Sequence, residues 1–110
     1  IIFYEGQYDK SYGSVIPSGR GDIAENIPLE LSDVAVLEEP EHLNWYNYGR
    51  KWTDNFRHVV GIAHTNYVEY ARRDRGEPTA QLLKRINQWV CALHCHKVIK
   101  LSDAVQHLPR

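Results

Sequence analysis

From Asp33 onward the chain carries three short, uninterrupted apolar runs: Val34-Ala35-Val36-Leu37, Val59-Val60-Gly61-Ile62-Ala63, and Val98-Ile99 with Leu101. Short runs rich in β-branched residues and free of polar alternation predict parallel strands covered by helices on both faces. Helical signals fill the gaps between them. Pro40 stands at a first-turn position after the first run, with Glu39 and Glu41 putting negative charge at the positive end of a helix dipole. Trp45, Tyr48, Trp52 and Phe56 then recur at spacings of three and four and predict one buried stripe. After the second run, Asn66 and Glu69 have capping-box spacing and open a shorter helix through Tyr70 and Arg73, broken at Asp74-Arg75-Gly76-Glu77-Pro78. A longer helix follows, with Leu82, Ile86, Trp89 and Leu93 on one stripe and Leu83 and Val90 flanking it. Strand, helix, strand, helix, strand predicts an open, Rossmann-like α/β fold with a parallel sheet.

The first thirty residues are different. Turn formers dominate at Glu5-Gly6, Tyr12-Gly13-Ser14, Pro17-Ser18-Gly19-Arg20-Gly21 and Pro28, leaving Ile2 to Tyr4 and Ser14 to Ile16 as short strand candidates. At 110 residues the chain holds one domain at most, and no Met is present, so it reads as a piece of a longer chain. A composition of 43% hydrophobic and 25% charged residues with net charge −1 is that of an ordinary globular protein and lacks the basic excess of a nucleic-acid binder. No window approaches the roughly 18 apolar residues of a membrane-spanning helix. The opening residues carry no signal-peptide pattern, and a targeting segment is expected outside this stretch.

Ligands of open parallel sheets bind beyond the carboxyl ends of the strands. Three loops fall on that edge, carrying Glu38-Glu39-Pro40-Glu41-His42, His64-Thr65-Asn66-Tyr67 and Ser102-Asp103. His64 directly follows a strand; it either donates to a hydroxyl or phosphate oxygen and accepts a proton, or bonds a neighbouring loop carbonyl. Glu38 and Glu39 resemble an acid–base pair, but adjacent strand-end residues point apart, so one is expected to cap the helix and the other to bind a sugar hydroxyl or an Arg. Asn66 is expected to cap first and bind ligand second. Cys91, His94, Cys95 and His96 invite a zinc reading, but no second ligand pair stands at finger spacing, and a packed helix end accounts for them better. The two cysteines are expected as reduced, part-buried thiols in a cytosol-facing protein. Arg72, Arg73, Arg75, Lys84 and Arg85 form a basic region that is either a solvated helix face or a contact for anionic lipid head groups. No Walker loop, GxGxxG or GxSxG motif occurs, which weighs against P-loop, dehydrogenase and α/β-hydrolase chemistry.

Several long stretches resemble the digalactosyldiacylglycerol synthases. They are Leu37-Glu38-Glu39-Pro40-Glu41-His42-Leu43-Asn44-Trp45, Gly49-Arg50-Lys51-Trp52-Thr53, Val60-Gly61-Ile62-Ala63-His64-Thr65-Asn66-Tyr67-Val68-Glu69-Tyr70, Asn87-Gln88-Trp89-Val90, and Cys95-His96-Lys97-Val98-Ile99-Lys100-Leu101-Ser102, in that order. The resemblance covers about Ser14 to Pro109. It implies a retaining glycosyltransferase of the GT-B type, with two Rossmann-like domains facing across a cleft. Residues 1–110 would be part of the N-terminal, acceptor-side domain, with the C-terminal donor domain lying outside the chain. It further implies galactose transfer from UDP-galactose to monogalactosyldiacylglycerol at the outer envelope of the chloroplast. A galactolipid acceptor and a peripheral membrane surface would be its partners, with the UDP-sugar held mainly by the other domain. No metal, no other cofactor and no nucleic acid are implied. By motif, His64 falls at the position near the donor sugar, as the catalytic candidate. Glu38, Glu39, His42, Thr65, Asn66 and Ser102 are the substrate-binding candidates. Alternatives are another GT-B lipid or sugar glycosyltransferase, or a non-catalytic α/β binding domain. The chain by itself is expected to be inactive.

Overall fold

The computed structural model describes residues 1–11, 13–17, 23–45 and 49–105. Three strands, β3 (Val34–Glu38), β4 (His58–Ala63) and β5 (Lys97–Lys100), form a parallel sheet in sequential order with β4 central. The register pairs Val34 with His58 and Val60 with Lys97, so all three carboxyl ends lie at one edge. Helices α1 (Pro40–Asn44) and α2 (Trp52–Asn55) connect β3 to β4, while α3 (Tyr67–Arg75) and α4 (Glu77–His94) connect β4 to β5. This is the α/β, Rossmann-like parallel arrangement that the sequence predicts. An N-terminal hairpin of β1 (Gly6–Asp9) and β2 (Ser14–Pro17) stands outside that sheet.

Burial alternates along the strands. Ala35, Leu37, Val59 and Ala63 are buried against Trp52, Phe56, Cys91 and Cys95, whereas Val34, Val36 and Ile99 on the opposite face are about half exposed. Among the described residues the expectation of helices over both faces is met on one face only, and the apolar positions of the second face stay partly exposed. Gly61 explains how closely the covered face is packed. A Cβ there would lie 2.6 Å from Pro40 Cγ and 3.0 Å from Cys95 Sγ, so α1 and the end of α4 both rest on a position that only glycine leaves open.

Four sequence expectations change. Ile2 to Tyr4 is not a strand, and the partner of Ser14–Pro17 is Gly6–Asp9, brought round by an Asp9 carboxylate that accepts from the Ser11 backbone N–H at 2.8 Å. The stripe from Trp45 to Phe56 does not belong to one helix. Asn44 ends α1 by donating to the Pro40 carbonyl at 2.8 Å and accepting from the Trp52 indole at 2.9 Å, and α2 starts afresh at Trp52. Tyr48 of that stripe lies outside the described residues, as do Tyr12 and residues 18–21 of the early turns. The stripe of Leu82, Ile86 and Trp89 is not the packed face of α4 either. Ala80, Asn87, Val90, Cys91 and His94 are buried where α4 packs on its neighbours, Val90 at the flanking position expected, while Leu82 and Trp89 stay more than half exposed. Finally, Leu101 lies past the end of β5, although its N–H extends the ladder to the Ala63 carbonyl at 3.1 Å.

The cysteine and histidine residues at the end of α4 are held separately. His94 Nδ1 faces the Trp52 backbone N–H at 3.3 Å and His96 Nδ1 accepts from the Val59 backbone N–H at 2.9 Å. Cys91 and Cys95 are buried free thiols, and burial raises both, Cys95 to about 12. Among the described residues no three His, Cys, Asp or Glu side chains gather as a metal would require, and no helix is long and apolar enough to cross a membrane.

Candidate functional site

The carboxyl edge is organised around Glu39. Its backbone N–H continues the β3–β4 ladder to the Ile62 carbonyl at 2.8 Å, and its carbonyl accepts from Leu43 N at 3.0 Å. Between these two demands the chain must turn from strand to helix within one residue, and Glu39 does so with φ 49° and ψ 62°. A left-handed backbone at a non-glycine residue costs about 1–2 kcal/mol, and such strain collects at functional sites. Glu39 sits at the N-cap position of α1, yet its carboxylate makes no capping bond. The expected capping role is therefore not performed by this side chain, which the left-handed turn aims at the edge of the sheet.

There the carboxylate meets three groups from two loops. Tyr67, at the start of α3, donates its hydroxyl to Glu39 Oε2 at 2.5 Å; His64 Nδ1 lies 3.4 Å from Oε1, and His42 Nδ1 lies 3.8 Å from Oε2. The Glu39 side chain is only 17% exposed, whereas His64 is 42% exposed. One imidazole thus lies beside a mostly buried carboxylate while it is itself partly exposed to solvent. Carboxylate–imidazole contacts of this kind fix a ring's tautomer and orientation. Oε1 has no hydrogen-bond partner of normal geometry, leaving it ready to tighten on His64.

Aromatic packing fixes the rest. His42, Trp45 and Tyr67 contact one another at ring-centroid distances of 4.9, 5.4 and 5.0 Å, and the Trp45 indole donates to Asn87 Oδ1 at 2.8 Å. Burial holds His42 below the usual histidine range, against the pull of Glu39, so it enters the cluster as a neutral imidazole at neutral pH. Burial, the Glu39 hydrogen bond and the nearby carboxylates push the Tyr67 phenol up, and it remains a donor. Beneath them Glu41 is buried and pushed up to about 7 by desolvation, offset in part by a hydrogen bond to its own backbone.

The site candidates named from the sequence separate into groups. Glu39, His42 and His64 come together. Thr65 Oγ1 lies 3.5 Å from His64 Nδ1, and Thr65, Asn66 and His64 line a depression of about 320 Å³ with Glu69 and Arg73. Asn66 is occupied at both ends: Oδ1 accepts from Glu69 N at 3.1 Å, capping α3, and Nδ2 donates to the Ala104 carbonyl at 2.7 Å. The Glu69 carboxylate does not complete the capping box but pairs with Arg72 and Arg73. Glu38, the last residue of β3, is exposed and takes no part in the Glu39 cluster, and exposed Ser102 does not line the depression. The sequence places Trp45 only in a buried stripe, Tyr67 in the edge loop without a role, and Arg73 in the basic region rather than with His64. Tyr67 follows Asn66 directly in the motif, but only the fold brings its hydroxyl back across 28 residues to Glu39. Of the basic region, Arg72 is already paired with Glu69 and Glu77.

A sequential parallel sheet, two helical crossovers and a carboxylate–histidine cluster at the carboxyl edge define a Rossmann-like α/β segment. Over its whole length this segment is 52% identical to digalactosyldiacylglycerol synthase 1, chloroplastic, of Glycine max and 49% identical to digalactosyldiacylglycerol synthase 2, chloroplastic, of Arabidopsis thaliana. The corresponding synthase 1 of Lotus japonicus is also 52% identical over the full chain. No protein-family model matches. The chain spans 14% of the length of the two synthase 1 relatives and 23% of the synthase 2. It is homologous to digalactosyldiacylglycerol synthases over a minor part of their length.

Proposed function

We propose that the protein to which this segment belongs is a chloroplast galactosyltransferase that moves galactose from UDP-galactose to monogalactosyldiacylglycerol, making digalactosyldiacylglycerol. The observation that carries the reading is identity near 50% along the entire chain to relatives of that name. The segment is part of the acceptor-side, N-terminal domain of a GT-B enzyme, and the UDP-sugar is held chiefly by the domain opposite. Action at the outer envelope membrane belongs to the same proposal.

In this proposal the residues of the edge take distinct roles, each supported by its geometry. His64, exposed at the strand end and anchored through Nδ1 by Glu39, presents its other face to the cleft, where it orients the donor sugar and supports the charge developing in an oxocarbenium-like transition state. Glu39 is a positioning residue rather than a free ligand for sugar, since Tyr67 already occupies Oε2. Thr65 and Arg73 line the adjoining depression and supply donors to hydroxyl or phosphate oxygens. Glu38, His42 and Ser102 remain acceptor-side contacts in this proposal. The test is incubation of the full-length protein with labelled UDP-galactose and monogalactosyldiacylglycerol. A labelled digalactosyl lipid is expected; transfer only to some other acceptor would replace the substrate assignment.

A further inference from the structure

Next to the polar cluster lies an apolar groove of about 360 Å³, between β2, the end of α1 and the α3–α4 pair. Ile16, Trp45, Tyr67, Tyr70, Leu82 and Ile86 form its walls. Two observations say what it holds. First, the groove is continuous with the candidate site through shared side chains. The Tyr67 ring lines the groove while its hydroxyl bonds Glu39, and Trp45 lines the groove while its ring packs on His42. A ligand spanning both regions must be polar with hydroxyls at one end and apolar at the other. Second, among the described residues the charged ones lining the groove are Asp74 and Arg75, one of each sign, so this lining carries no excess of cations. That favours an uncharged amphiphile over an anionic phospholipid, whose head group would seek an excess of cations. Its volume falls within the roughly 300–1,000 Å³ typical of small-molecule sites. Tyr70 and Leu82, at 62% and 60% exposure, keep the groove open along the α3–α4 side.

Resting on the function proposed above, we infer that this groove takes an acyl chain of the neutral galactolipid acceptor, with the galactose head group toward Glu39, His42 and His64. The outward apolar stripe of α4, at odds with its role as a core helix, is then a lipid-contacting surface. The experiment uses the full-length protein and monogalactosyldiacylglycerol carrying a photoreactive diazirine in one acyl chain, in mixed micelles, followed by digestion and mass mapping. Label is expected on the peptides holding Tyr70, Leu82 and Ile86, displaced by unmodified monogalactosyldiacylglycerol but not by phosphatidylcholine. The double variant Leu82→Gln/Ile86→Gln, both positions exposed, is expected to lose that label and to raise the KM for the lipid about tenfold, with the KM for UDP-galactose unchanged. Label that phosphatidylcholine displaces equally would make this face a general bilayer contact and overturn the inference. Absence of label from these peptides would overturn it as well, placing another part of the full-length chain over the groove. Transfer activity measured on the same preparation separates the two proposals. Transfer without groove labelling removes the groove alone, and labelling without transfer removes the reaction while leaving a galactolipid-binding site.

Discussion

At the residue scale, two carboxylates two positions apart have opposite fates. Glu39 stays at the sheet edge with a hydroxyl and two imidazoles around it; Glu41 is buried beneath, with Oε2 lacking a partner. Burial that raises Glu41 from 4.5 to about 7 makes the folded state hold a proton the unfolded chain has lost. The sign follows directly: stability is greatest below the unfolded value and falls as pH rises through that window, by on the order of 3 kcal/mol in all. Glu41→Gln should flatten this fall and raise the unfolding temperature at pH 8, which thermal unfolding across the pH range measures; an unchanged slope would assign the dependence to another group. Removing the Tyr67 hydroxyl tests the neighbouring carboxylate. Tyr67→Phe leaves Glu39 Oε2 without its donor, at a cost of about 1–3 kcal/mol. Denaturant titration reads that cost, and no change would mean that water replaces the phenol. Little of this was legible in the sequence. Adjacency of Glu38 and Glu39 led to the expectation that they diverge, but the choice of Glu39 for the site depends on a left-handed backbone angle that no residue pattern announces.

At the element scale, the strands and most helix starts were legible because their signals are local. Apolar runs located β3, β4 and β5, Pro40 marked the first residue of α1, and Asn66 caps α3 as its spacing foretold. What failed was anything decided by a neighbour. The two short helices α1 and α2 share an aromatic periodicity but are distinct elements tied by an Asn44–Trp52 side-chain bond, and α4 buries Ala80, Asn87, Cys91 and His94 while Leu82 and Trp89 stay exposed. Asn66→Ala should cost about 1 kcal/mol for the lost cap, with a further loss where Asn66 ties α3 to the Ala104 carbonyl. Hydrogen exchange at Glu69 N should speed up accordingly, and unaltered protection would show that the cap is dispensable. Gly61→Ala is the sharper test of packing. The added methyl meets the Pro40 ring and the Cys95 sulfur, so destabilisation of about 1–3 kcal/mol is expected, with Cys95→Ala in the same chain recovering part of it. A neutral Gly61→Ala would mean that α1 can lift off the sheet freely.

At the scale of the whole molecule, one face of the sheet is covered, the other is open, and the polar residues gather where the strands end. That division was half legible. The unbroken apolar strands foretold two covered faces, and the described residues cover one. The depression beside His64 and the groove beside Tyr67 both reach Tyr70, and in the proposed reaction they would bring sugar donor and lipid acceptor to His64 from different sides. The most direct test is the transfer rate of the full-length protein with His64→Ala, using UDP-galactose and monogalactosyldiacylglycerol. The account predicts a fall in kcat of roughly 10²-fold or more, as for loss of one positioned transition-state donor, with the KM for the lipid little changed. Undiminished turnover by His64→Ala would contradict it and remove the strand-end histidine from the chemistry.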